Sequence, residues 1–341
     1  MTSKDIAKLA GVSRGTVDRV LNKRGVVNPE TARRILDIAK AMNYSPNLAG
    51  KTLAVRKKNL KFGLILFSTT KSNLFFLDVI AGIENRVKVL REYGASVEVR
   101  YAKIGDPDSQ IALIDELAEK GINGLVITPM NHPSVAMRLR QLIENNIPVV
   151  TANSDIGDSG RLCYVGSDAF KSGETAAGLM NMVTGGKARV GIILGHYWVD
   201  CHTGRAAGFK RYVTKHYPRI KVIETIYNND DDKKSYEVTR AMLKKHRRIN
   251  ALYLAAAGVA GACRAVRDMG LTGKIRIISN DATEPIRKLV KDGVIAATIT
   301  QEPFMQGAKP LDILWDYVGM GKHPAGEHFL TKIEIKIKEN F

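Results

Sequence analysis

The first side chains with a chemistry of their own are cations. Through Lys61 the chain carries fourteen basic residues against four acidic ones, a net +10 out of +18 for all 341 residues. A short, strongly basic segment of this kind neutralises phosphate, which makes nucleic acid the first partner to consider. The other reactive residue types point to no reaction. His132, His196, His202, His216, His246, His323 and His328 show no metal-ligand spacing on one helix face. Cys163, Cys201 and Cys263 are odd in number and far apart, as expected of reduced, packed thiols. Gly185-Gly-Lys187 lacks the leading glycine and the hydroxyl residue of a phosphate loop, and no strand runs into G-x-G-x-x-G. No catalytic residue, metal site or cofactor is therefore expected.

Positioning those cations calls for short helices. Thr2 and Asp5 form a helix start signal, with Ile6, Ala7 and Ala10 on one face. Gly11 suits a left-handed turn, and Ser13 can cap a second helix with Val17, Val20 and Leu21 inward. Asn28-Pro29-Glu30 starts a third, in which Ile35, Ile38, Ala39 and Met42 recur at helical spacing. Two helices joined by a tight glycine turn read as a helix-turn-helix.

The other 280 residues alternate apolar runs of three to six residues with amphipathic stretches. The runs are 62–67, 96–101, 124–128, 148–152, 190–194, 221–226, 251–254, 276–278 and 295–300. That pattern predicts β-α-β units in two parallel sheets, with ligands beyond the C-terminal strand ends. No apolar run is long enough to cross a bilayer, and nothing before the first helix resembles a secretory signal, so a cytoplasmic location is expected.

Asp5-Ile-Ala, Gly11-Val-Ser, Thr16-Val-x-Arg19-Val-Leu-Asn22 and Asn43-Tyr-x-Pro-Asn47 resemble the head of the LacI/GalR (lactose-repressor) family, in register over residues 2–54. The resemblance implies an α/β protein with two parts. A three-helix helix-turn-helix headpiece (1–58) would precede a periplasmic-binding-protein-like body (59–341) of two doubly wound, mostly parallel sheets. Lobe 1 would comprise about 61–165 and 302–330, and lobe 2 about 166–301 and 331–341. It also implies DNA-facing positions at Thr2, Ser13, Arg14, Gly15, Thr16, Asp18, Arg19, Asn22, Asn28, Lys51 and Leu53. Arg14 and Arg19 would read guanine edges, while Gly15 offers no base contact. Leu53 would wedge into the minor groove from a hinge helix near 46–54. Two departures stand out. Asp18 replaces a usual serine, either reading cytosine, holding Arg14, or simply exposed. Gly50 replaces alanine and costs roughly 1 kcal/mol of helix propensity.

The same resemblance nominates effector residues at strand ends. Asn73, Phe75 and Phe76 match a sugar-clamping loop, although either phenylalanine could simply be core. Asn153 stands where sugar binders carry Asp-Arg. Arg205, Asp281 and Gln301 match further cleft positions, and an Arg205–Asp281 pair could equally be structural. Leu254-Ala-Ala-Ala-Gly258 stands where Asn-Asp is usual, which removes polar groups from the wall. The implied protein is a homodimer that binds pseudo-palindromic operator DNA and represses under control of a small, carbohydrate-like effector, with no membrane partner. Activation, or a non-sugar metabolite in the cleft, remain the alternatives.

Overall fold

The computed structural model describes residues 2–21, 25–42, 44, 56, 58–68 and 73–341, which fall into two compact units, Met1–Asn59 and Leu60–Phe341.

In the first unit, helices α1 (Ser3–Ala10), α2 (Arg14–Leu21) and α3 (Pro29–Ala41) surround a core of Ile6, Ala7, Ala10, Val17, Val20, Ile35 and Ala39. The Asp5 carboxylate accepts from both the Thr2 amide and hydroxyl, which lowers its pKa and fixes the start of α1. Gly11 ends that helix at φ 64°, as the turn requires. Ser13 Oγ accepts from the Thr16 amide (3.1 Å), and Asn28 Oδ1 from those of Glu30 (2.9 Å) and Thr31. Met42 departs from its expected inward face and is exposed, because α3 has already ended. The expected hinge helix, with Asn22, Lys51 and Leu53, lies outside the described residues.

The second unit contains two six-stranded sheets. The first is built from β1 (Lys61–Phe67), β2 (Ser96–Ala102), β3 (Gly124–Ile127), β4 (Val149–Ala152), β5 (Cys163–Ser167) and β11 (His328–Thr331), in the order β11-β5-β4-β3-β1-β2, all parallel. The second uses β6 (Ala188–Leu194), β7 (Ile220–Tyr227), β8 (Ala251–Leu254), β9 (Arg276–Asn280), β10 (Ala297–Thr300) and β12 (Glu334–Lys336), ordered β12-β10-β9-β8-β6-β7. Only β12 runs antiparallel, against β10. Strand β5 had no counterpart among the expected apolar runs, since Gly166 and Ser167 interrupt its pattern.

Helices α4 (Phe75–Glu92), α5 (Pro107–Glu119), α6 (Pro133–Glu144) and α12 (Pro303–Leu314) accompany the first sheet. Helices α7 (Ala169–Thr184), α8 (Asp200–His216), α9 (Asp232–Lys245), α10 (Val259–Asp268) and α11 (Glu284–Lys291) accompany the second. Apolar side chains fill both faces of the second sheet, with Val190, Ile192 and Tyr253 on one side and Ile193, Leu252 and Ile277 on the other. Parallel strands covered on both faces explain the near-continuous apolar runs. The chain passes between sheets after β5, after β10 and after β11.

Candidate DNA-reading helix and effector cleft

On α2 the residues Arg14, Gly15, Asp18 and Arg19 are exposed. Arg14 Nε donates to Ser3 Oγ (3.2 Å), tying the start of α2 to α1. Arg19 folds back along its helix, with Nε to the Gly15 carbonyl (3.3 Å) and Nη2 to Thr16 Oγ1 (3.4 Å). Gly15 thus offers Arg19 a carbonyl. These are weak, long bonds that a better acceptor could displace.

In the body, a cavity of about 160 Å³ opens between the lobes. Asn73 and Phe75 line it from the first lobe, and Asp232, Asp281, Thr283 and the 257–260 segment from the second. Three of the expected effector residues, Asn73, Phe75 and Asp281, therefore meet at one cavity. Phe76 packs edge-on against Phe75, with ring centroids 5.5 Å apart, and does not line the cavity.

Gln301 stands directly behind Asp281, donating from Nε2 to Asp281 Oδ1 (2.7 Å). Its Oε1 accepts from Ser167 Oγ (2.9 Å), and its carbonyl from Thr331 Oγ1 (2.8 Å). Gln306, fully buried on α12, donates to the Gln301 carbonyl (2.6 Å) and accepts from Asn153 Nδ2 (3.0 Å). Ser167, Gln301 and Thr331 each sit at one of the three passages between sheets, so a single polar network joins them and reaches Asp281. Asn153 is therefore spent within this network and is not part of the cavity wall. Asp281 (φ 73°), Asn153 (φ 65°) and Glu302 (φ 52°) all hold left-handed backbone here. Such conformations persist where surrounding contacts impose them, and they gather at functional sites.

Arg205 corrects the expectation that it approaches from a strand end: it lies on α8 and is almost wholly buried. Its Nη1 donates to the Ala255 carbonyl (2.8 Å), and its Nε has no partner. Helix α8 is seated by glycines. A Cβ on Gly173 would lie 2.0 Å from the Arg205 carbonyl, and one on Gly208 2.1 Å from that of Phe170. The alanine run at 255–257 is compensated by the neighbouring β7 strand end. The Asp230 carboxylate accepts from the Ala257 amide (3.1 Å), and Asn228 Nδ2 donates to the Ala257 carbonyl (2.7 Å). Asp230, Asn228 and His202, like Ser167 and Gln306, are buried polar residues that sequence reasoning missed, and Asn228-Asn-Asp230 just past a β-run was the available signal for the first two.

Burial raises the pKa of Asp281, against the pull of Arg205 and the Gln301 hydrogen bond. It raises that of Asp230 likewise, opposed by His196, the Ala257 amide and Arg205. Burial, with Arg205 and His196 nearby, holds His202 well below the usual imidazole range; its Nδ1 accepts from the His196 amide. The far side of the cleft is bridged by Asn131, which donates from its amide to the Trp198 carbonyl (2.7 Å) and from Nδ2 to Asp200 (3.2 Å). A larger groove of about 510 Å³ runs along edge strand β7 and has none of these convergent groups. Among the described residues no cluster of His, Cys, Asp and Glu could hold a metal ion, and no helix is long and apolar enough to cross a membrane.

Comparison with known proteins places both units. Residues 2–47 match the model for bacterial regulatory proteins of the lacI family, and residues 62–323 that for a periplasmic binding protein domain. The chain is 26% identical to the transcriptional repressor PurR of Actinobacillus pleuropneumoniae serotype 3, over 94% of this chain and 92% of that one. It is 27% identical to the probable transcriptional repressor ExuR of Bacillus subtilis, over 71% and 69%. The D-allose-binding periplasmic protein of Escherichia coli is 28% identical over 74% and 83%. Among solved structures, a solute-binding protein from Burkholderia graminis in complex with D-arabinose superposes with a TM-score of 0.75 at 25% identity, covering 82% of this chain and 96% of that one. These relatives are repressors and sugar-binding proteins, not enzymes. The chain belongs to the periplasmic binding protein domain family and, with its lacI-type head, is a DNA-binding regulator of the lacI family controlled by a small-molecule effector.

Proposed function

We propose that this chain is a cytoplasmic repressor that binds a pseudo-palindromic operator as a homodimer, and that a monosaccharide-sized ligand in the inter-lobe cavity sets its affinity for DNA. The observation that carries the effector reading is the cavity itself, with Asn73 and Phe75 on one side and Asp281 and Thr283 on the other. Its volume of about 160 Å³ is below the usual range for drug-sized ligands and suits a single ring. Phe75 offers a face to C–H groups, and Asp281 keeps its second oxygen for a ligand hydroxyl. The wall from Ala257 to Ala260 carries no side-chain polar atom, which favours a sugar lacking a hydroxyl on that side. The D-allose and D-arabinose of the relatives suggest where a ligand panel should begin.

On the DNA side, Arg14 and Arg19 read bases, with Thr2, Ser13, Thr16, Asn22, Asn28 and Lys51 placing the head on the backbone, Asp18 accepting from a cytosine amine or holding Arg14, and Leu53 wedging the operator centre. The coupling runs through Gln301, which links cavity-lining Asp281 to the passages between lobes. Coupling of this kind is typically 1–3 kcal/mol and reciprocal. The test is a thermal-shift panel of aldoses, deoxy sugars and polyols on the full chain, repeated on Asp281→Ala. A stabilising ligand whose shift disappears in Asp281→Ala while operator binding persists supports the reading. A ligand bound equally well by the variant refutes it.

A further inference from the structure

The end of the second sheet that faces away from the cleft carries a repeated charge pattern. Strands β6, β7 and β9 each begin with two cations, Lys187 and Arg189, Arg219 and Lys221, and Lys274 and Arg276, and the turn leading into β8 adds Arg247 and Arg248. All eight are exposed, and among the described residues none of the eight takes part in a salt bridge. Strand register brings the pairs level, with Arg189 beside Lys221, Val190 beside Ala251, and Ala251 beside Arg276. Four strands at about 4.8 Å spacing put the outer pairs roughly 14 Å apart. The last turn of α9 adds Lys244 and Lys245. Of the carboxylates nearby, Glu224 is held by Lys245 and His246, and Asp268 accepts from Tyr236; Asp292 follows α11.

Cations near helix C-termini can simply offset helix dipoles. The first lobe is the internal control for that explanation. It has the same strand order and comparable helices, yet at the corresponding ends of β1 to β5 the cations are Lys58, Lys61, Lys120 and Arg161, of which Lys120 pairs with Glu98 and Glu116 and Arg161 with Asp155. Helices α5 and α6 carry no basic residue in their last turn, and α4 carries Arg91 alone. The dipole account applies to both lobes, and the unpaired cations are concentrated in one.

We propose that this end of the second lobe binds the phosphate backbone of duplex DNA, independently of the helix-turn-helix head. A duplex presents one charge per ~1.7 Å of axis, so ~14 Å offers about eight phosphate charges to eight cations. An acidic protein fits less well, because a stable protein interface needs an apolar centre. The segments 186–189, 218–221, 247–250 and 273–276 expose no large apolar side chain. A contact of this kind carries no sequence information; it holds the chain on DNA and permits one molecule to engage two stretches of duplex.

The test uses the full chain with a long duplex of random sequence, titrated across salt. In the fourfold variant R189Q/R247Q/R248Q/R276Q, the slope of log K against log salt should flatten by about 3 to 4, with unchanged thermal stability. The head variant R14Q/R19Q should retain salt-dependent binding whose slope falls by the same ~3 to 4 in the combined sixfold variant. An unchanged slope in the fourfold variant overturns the proposal, as does loss of all salt-dependent binding in R14Q/R19Q alone. Polyglutamate of matched charge displacing this component at lower concentration than DNA does would reassign the surface to an acidic protein.

Discussion

The two lobes of the body solve the same folding problem and present different chemistry. Their first five strands follow one order, β5-β4-β3-β1-β2 in one and β10-β9-β8-β6-β7 in the other. Each lobe seats a helix pair through two glycines: Gly82 and Gly307 between α4 and α12, Gly173 and Gly208 between α7 and α8. At the cleft, however, the first lobe contributes an amide and a phenyl ring, Asn73 and Phe75, while the second contributes buried ionisable groups, Asp281, Arg205, Asp230 and His202. At the opposite end one lobe carries few cations, two of them in ion pairs, and the other is strongly basic. Apolar periodicity dictates what the lobes share, and residues at strand ends dictate what they do not.

The shared part is where substitution should cost most. In Gly307→Ala the new Cβ would sit 2.0 Å from the Val79 carbonyl, and in Gly208→Ala 2.1 Å from that of Phe170. Neither backbone carbonyl can rotate away, so each helix pair must separate, at roughly 1–3 kcal/mol. Urea denaturation should show comparable losses for the two variants. Both should also blunt the ligand response, Gly208→Ala because α8 carries Arg205 and Gly307→Ala because α4 carries Phe75 and α12 carries Gln306. A large loss in one lobe with none in the other would break the equivalence of the two pairs.

That division also explains what was legible in the sequence. The β-α-β alternation and the head's cap residues are local patterns, and Ser13, Asn28 and Gly11 do what their types imply. Strand β5 was not legible, because Cys-Tyr-Val-Gly-Ser lacks a sustained apolar run. At the site, Asn73, Phe75 and Asp281 could be nominated from motifs. The employment of Asn153 and Gln301 in the network between lobes could not, because it depends on Gln306, distant in sequence and without a motif. Asp230 was invisible for a similar reason: its importance comes from the Ala257 amide across a neighbouring strand end.

A pH experiment sharpens the contrast between lobes, and its first part concerns Asp281. Its folded pKa is raised by burial above the usual 3.8. Between those two values the folded state holds a proton that the unfolded state has released, so this group's contribution falls as pH rises through that window. Once pH exceeds the folded pKa the cost is complete. Asp281→Asn should therefore stabilise the unliganded chain at pH 7 while removing the ligand response, as expected where a site trades stability for function. His202 acts in the other direction. The unfolded chain takes up a proton near pH 6.5 that the buried ring refuses, so its contribution declines as pH drops below that value. Asp281→Asn leaving the chain less stable at pH 7 would show that Gln301 and Arg205 outweigh burial.

The smallest effect should come from the same carboxyl-to-amide change in the first lobe. Glu116 accepts from Arg100 and pairs with Lys120, and these contacts hold its pKa down at about 2. Here the folded state releases its proton more readily than the unfolded one, so the contribution is present above the ordinary 4.5 and is lost as pH falls toward 2. The sign is opposite to that of Asp281. The network is at the surface, where solvent and salt screen it, so Glu116→Gln should lower the melting temperature only slightly at neutral pH. The difference should vanish in high salt, whereas that of Asp281→Asn, inside the cleft, should persist. Melting curves of both variants at low and high salt check this directly. A salt-independent loss in Glu116→Gln would mean that the first lobe also relies on its charges, and that the contrast between the lobes is one of degree.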